Sequence, residues 1–241
     1  MKKTWVQWFG SGLLIVVLAG CSGSGAGVSP PDDGIDDGGD DGGSVDPPPP
    51  VSPFTPPSEA QALYYVIDFP DDFAAVKDNH NVGPATLFAD LPRPMAVTYD
   101  GFMEITIAST PNANIQSDAT LTVDMQSGAI SGGASDFIGW AYNAETDSND
   151  LALYEGDITF SGGSLVAGLT GDTRLEMQVD GALDNGLQDF TLTGTLDGRL
   201  YGAAADGLYA GGSYYGIGRD ITLTADGVDV YGSANIWALK Q

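Results

Sequence analysis

The chain is poor in histidine, cysteine and basic residues, and each shortage removes a class of chemistry. Of 241 residues, one is histidine (His80) and one is cysteine (Cys21). Zinc and copper sites draw several ligands from these two residue types, so no such metal site is expected. A single cysteine also rules out a disulfide within the chain. Ser-His-Asp catalysis would have to use His80, and no G-x-S-x-G elbow offers the serine. His80 sits in the polar stretch Asp78-Asn79-His80-Asn81 and reads as a solvated loop residue. The glycine-rich pieces lack the Lys and Ser/Thr of a phosphate-binding loop. No catalytic residue, metal ligand or cofactor is therefore assigned. Carboxylates are plentiful, but they fall in turns or on polar faces, where charge solubilises.

Basic residues are the third shortage. Eight Lys and Arg stand against 33 Asp and Glu, a formal charge of −25. Residues 59–241 alone hold 26 acids and 6 bases, or −20. Nucleic acid and anionic lipid surfaces are disfavoured as partners of such a chain.

Long apolar runs are scarce too. Residues 13–19 (L-L-I-V-V-L-A) follow Lys2 and Lys3 and are too short to span a bilayer as a helix, so residues 1–20 read as a signal peptide. They end in Leu18-Ala19-Gly20-Cys21, which resembles the lipobox of bacterial lipoproteins. The resemblance implies cleavage before Cys21 and acylation of it. Ser22, rather than Asp, follows the cysteine and implies the outer membrane. Acyl chains anchor through burial worth about 0.8 kcal/mol per methylene. Residues 21–58 are rich in Gly, Asp and Pro, with almost nothing to bury, and read as a disordered tether. Its paired aspartates (Asp32/Asp33, Asp36/Asp37, Asp40/Asp41) match neither an EF-hand nor a calcium nonapeptide.

What remains is largely period-2. Leu175, Met177 and Val179 alternate with Arg174, Glu176, Gln178 and Asp180, and Leu121, Val123 and Met125 alternate with Thr120, Thr122 and Asp124. Comparable runs start at Met103, Phe190 and Ile221, with turn signals at Ser127-Gly128, Gly162-Gly163, Gly171-Asp172, Asp184-Asn185-Gly186, Asp197-Gly198 and Asp226-Gly227. This is the pattern of an all-β, antiparallel meander with one dry face. Closure into a soluble β-barrel of about eight strands removes its edges. The apolar runs cover roughly five to eight residues, short of the nine to eleven of a membrane-spanning strand. Residues 59–94 read as an irregular lead-in that packs on the barrel. Ser58-Glu59-Ala60-Gln61 fits a capping box, Tyr64-Tyr65-Val66-Ile67 suits helix or strand, and Pro70, Pro84, Pro92 and Pro94 break the rest.

The segment after Asp197-Gly198 carries a resemblance. Leu200-Tyr201-Gly202, then Ala203-Ala204-Ala205-Asp206-Gly207-Leu208, then Ala210-Gly211-Gly212-Ser213-Tyr214 resembles the signature near the end of the barrel of transferrin-binding protein B and related lipoproteins. Leu200, Ala203 and Asp206-Gly207 replace the aromatic, the Pro and the Glu pair usual there. Val97-Thr98-Tyr99-Asp100-Gly101, the hairpin from Leu121 through Gly132, Ile158-Thr159-Phe160-Ser161-Gly162 and Asp229-Val230-Tyr231-Gly232-Ser233-Ala234 are similar to other strands of that family. The resemblance covers residues 95–241 and implies a single-barrel, lipid-anchored, surface or periplasmic module. Such a module would be non-enzymatic and bind a protein or small solute in nutrient or iron acquisition, with an outer-membrane receptor as a further partner.

Two alternatives stay open: a lipocalin-like carrier with a small apolar ligand inside the barrel, and a structural or adhesive surface protein. Trp140, Tyr142, Tyr154, Tyr201, Tyr209, Tyr214, Tyr215, Tyr231 and Trp237 supply amphipathic side chains for a rim or cavity. Residues 143–150 (N-A-E-T-D-S-N-D) form a polar loop suited to partner contacts. No ligand-binding residue is singled out among them.

Overall fold

Strands form wherever alternation lets one face of the chain dry out. The computed structural model describes residues 52–93, 95–110, 112–215 and 220–241. The segment read as a signal peptide, Cys21 and the expected tether as far as residue 51 lie outside the described residues. The strands are β1 (Ala96–Ile107), β2 (Ala113–Asp124), β3 (Ile130–Asn143), β4 (Ser148–Ala167), β5 (Thr173–Asp184) and β6 (Asp189–Tyr201). They are followed by β7 (Gly207–Tyr214), β8 (Ile221–Ala225), β9 (Val228–Asp229) and β10 (Gly232–Lys240). Neighbours from β1 to β7 pair antiparallel, β7 pairs with β10, and β10 pairs with β1, which closes the sheet. β6 holds two partners in file, with residues 197–201 facing β7 and residues 190–194 facing β8. β8 pairs with β9, which leads into β10. β7 and β8 thus share one wall position, and β9 and β10 another. The result is a closed antiparallel barrel of eight wall positions, as the alternation predicts.

The dry face is the inside. Tyr99, Met103, Ile115, Leu121, Phe137, Phe160, Met177 and Leu196 are fully buried and meet in one core. Each such side chain contributes roughly 1.5–3 kcal/mol relative to exposure. A cavity among Ile105, Ile115, Phe190 and Leu223 measures only about 10 Å³, room for a water at most. A membrane-spanning barrel has the opposite polarity, apolar outside. Strand length does not make this distinction, because β1 to β6 run 12 to 20 residues. The apolar runs look shorter in sequence because small residues such as Gly139 and Gly198 occupy buried positions without ending the strand.

Two expected turns are absent. Asp197-Gly198 lies within β6, where a Cβ on Gly198 would collide with the Tyr209 carbonyl and with Ala210 across β7. The glycine permits close strand approach. Gly162-Gly163 is a bulge inside β4: both residues have positive φ (67° and 104°), and the pairing with β5 shifts between Ser161 and Ser164.

The lead-in is more regular than its prolines suggest. α1 (Glu59–Ile67) starts with the expected capping box between Ser58 and Gln61, which resolves the helix-or-strand ambiguity in favour of helix. α2 (Phe69–Asn79) follows after Asp68, with Pro70 in its first turn. A proline there loses no helical hydrogen bond and does not break the helix. Asp71 and Asp72 in the first turn and Lys77 in the last complement the helix dipole. The composition places the end of the tether at residue 58, but Phe54 is 3% exposed and belongs to the barrel core. The Thr55 N–H donates to the Asn185 carbonyl, and the Thr55 carbonyl accepts from the Leu153 N–H, both at 3.0 Å. The Phe54 ring and these two backbone hydrogen bonds dock the end of the proline-rich stretch on the barrel as a strap.

Candidate functional site

Outward residues of adjacent strands come into register on the side that carries the helices. Asp118, Phe102, Trp237, Tyr209, Arg199 and Arg174 are successive cross-strand partners over β2, β1, β10, β7, β6 and β5. Three aromatics, flanked by an acid at one end and two arginines at the other, therefore form one row around the outer wall. Such side chains on a wet face would expose a large apolar patch.

The helices cover the middle of that row. Phe69, Phe73 and Val76 recur at helical spacing on α2 and join Tyr65, Phe102, Ile138, Leu151 and Leu153 in a second apolar cluster outside the barrel. Phe73 meets Phe102 and Trp237 edge-on at 5.8 and 5.4 Å, and Tyr65 stacks on Phe69 at 5.5 Å. The Lys77 ammonium lies 4.5 Å from the Trp237 ring centre, a cation–π contact. Trp237 is consequently only 7% exposed although it points away from the core.

Clefts open where the hairpin ends. One of about 350 Å³ lies between α1–α2 and Asn114, Gln116 and Trp140. A second, of about 220 Å³, is lined by Tyr64, Phe69, Asp118, Asp136 and Ile138. A third, of about 280 Å³, lies beyond the other flank and is lined by Arg174, Asp197, Gly198, Arg199, Tyr201 and Tyr209. Asp118 is held above the usual carboxylate range by partial burial first, then by Asp136, Asp72 and Asp100. Asp172 is held below it by the Thr170 hydroxyl first, with Arg174 and Arg199 adding to the effect. Among the described residues, no group of three or more His, Cys, Asp or Glu is placed to hold a metal ion.

His80 departs from its expected place. It is 7% exposed, caps α2, and packs against Tyr201 and Tyr209 at ring distances of 5.7 and 5.9 Å. Its Nδ1 lies 2.6 Å from the Lys77 carbonyl, to which it donates, and burial pushes the imidazole below its ordinary value. The histidine is thus spent on anchoring the hairpin. The predicted aromatics divide by strand phase. Tyr154 and Tyr214 point into the core. Trp140, Tyr201, Tyr209 and Trp237 ring the hairpin, while Tyr142, Tyr215 and Tyr231 are exposed elsewhere. The polar loop is tied internally: Asn143 Nδ2 donates to Asp150 at 2.7 Å, and the Tyr142 hydroxyl donates to Asp147 at 2.8 Å.

Phe102, Phe69, Phe73 and the arginine pair were missed by sequence reasoning. The outward phase of Phe102, Arg174 and Arg199 beside Met103, Leu175 and Leu200 was readable, but the register that aligns them was not, and Phe69 and Phe73 lie on a helix that Pro70 concealed. No family model, curated protein or solved structure matches the chain.

Proposed function

We propose that the chain is a lipid-anchored, non-enzymatic binding module of the outer membrane, whose contact surface is the outer wall around the α1–α2 hairpin. The observation that carries this reading is the aromatic row, half covered by helices and bordered by open clefts, on a barrel with a packed interior. A cavity of about 10 Å³ supports the outer wall over an internal carrier site, since pockets for small ligands hold roughly 300 Å³ or more. The L-A-G-C run ending at Cys21 supports the lipid anchor. The motifs in residues 95–241 that resemble transferrin-binding protein B support a role in capturing a protein or solute.

Two measurements test the proposal. Cys21→Ser should move the chain from the membrane fraction to the soluble fraction and abolish labelling by a radioactive fatty acid. Immobilised full chain should capture a partner from host or environmental fluid, and a Trp140→Ala, Tyr209→Ala double variant should lose it. Repeated recovery of nothing, or capture unaffected by the double variant, would overturn the assigned surface.

A further inference from the structure

We infer that the cleft lined by Arg174, Asp197, Arg199, Tyr201 and Tyr209 is a saccharide-binding site; the inference rests on the outer-wall reading and names a ligand class for it. The register places Arg174 opposite Arg199 and, two residues on, Glu176 opposite Asp197. Like charges directly opposite each other destabilise a sheet, and here the arrangement occurs twice in succession. Asp172 takes up part of the positive charge, contacting Arg174 Nε at 2.9 Å and Arg199 Nε at 3.5 Å. Both contacts are made through Nε. Among the described residues the guanidinium Nη groups donate no hydrogen bond, and Asp197 and Glu176 make neither a side-chain hydrogen bond nor an ion pair. Donors and acceptors are therefore held a strand spacing apart without being spent on one another.

The aromatic component is next to them. Tyr201 and Tyr209 line the same cleft of about 280 Å³. Both rings are backed by His80, and the Tyr209 hydroxyl is fixed on Asn235 at 3.0 Å. The hydroxyls of a sugar both donate and accept, which suits guanidinium forks beside a carboxylate, and its C–H face packs on a tyrosine ring. An inorganic oxyanion would satisfy the arginines but face Asp197 and an acidic chain. An apolar ligand would desolvate Arg174, Arg199 and Asp197 without supplying any of them a partner. The open cleft on a sheet face admits a stretch or an end of a glycan chain.

The test uses the full chain, with maltohexaose, cellohexaose, laminarihexaose and chitohexaose as neutral probes and tetragalacturonate and inorganic sulfate as charged ones. Titration calorimetry should show binding of at least one neutral probe. Arg199→Gln and Tyr201→Ala should each weaken it tenfold or more at a temperature where circular dichroism shows both variants folded, and Val228→Ala on the distant β8–β9 hairpin should leave it intact. No binding by any neutral probe, binding indifferent to both variants, or tighter binding of sulfate or galacturonate would overturn the inference. Should the protein capture described above succeed equally with wild type and both variants while no probe binds, the saccharide site fails and the binding-module reading stands. If capture fails as well, both fall.

Discussion

Phe54 shows how much one residue decides. It lies in a proline-rich stretch that composition alone assigns to a tether, yet its ring is buried with the barrel core. Burial of the ring outweighs the cost of ordering the few residues around it, because proline has already restricted the unfolded chain. Phe54→Ala should cost about 3–5 kcal/mol, the usual range for emptying a buried phenylalanine site, read from urea denaturation. A loss below 1 kcal/mol would show that the strap contributes little. Gly207 acts on the same scale. A Cβ there would strike the His80 carbonyl, so glycine lets the end of α2 lie against β7.

At the level of elements, the α1–α2 hairpin is held by side chains alone on one barrel face, whereas every barrel strand is held by a hydrogen-bonded ladder. Helices of 9 and 11 residues are too short to persist in isolation. Their stability comes from Tyr65, Phe69 and Phe73 on Phe102 and Trp237. Phe73→Ala should therefore raise amide exchange across residues 59–79 by tenfold or more while β1 to β6 stay protected. Equal loss of protection in hairpin and barrel would show one cooperative unit instead.

At the level of the whole molecule, charge governs the response to pH. Residues 59–241 carry −20, and self-repulsion opposes the compact state. Asp118 has its folded pKa raised above 3.8, so its contribution is fully present at low pH and is lost as pH rises through the folded value. Asp172, Asp124 and Asp150 have theirs lowered below 3.8, so their contributions are present above it and lost as pH falls through the folded values. The melting temperature should accordingly rise as pH drops from neutral toward the carboxylate range, then fall below it. Asp118→Asn should raise the melting temperature at neutral pH and flatten the rise on mild acidification; a lower melting temperature at neutral pH would contradict this.

The barrel was legible because alternation is a local property. Leu175, Met177 and Val179 against Arg174, Glu176 and Gln178 state which face is dry without reference to any other strand. Helix α1 was half legible through its capping box, and α2 was hidden because Pro70 reads as a breaker unless the helix start is known. The candidate site was not legible. Arg174 and Arg199 are 25 positions apart in the chain, and Phe102 and Trp237 lie near opposite ends of the barrel domain. The amino-acid sequence by itself determined the fold class, the phase of the strands that alternate and the acidic surface, since burial of alternate side chains needs only local order. Which outward residues meet, and that a buried histidine and a docked strap complete the wall, was decided by the closure of the sheet, because register is a property of paired strands and belongs to no strand alone.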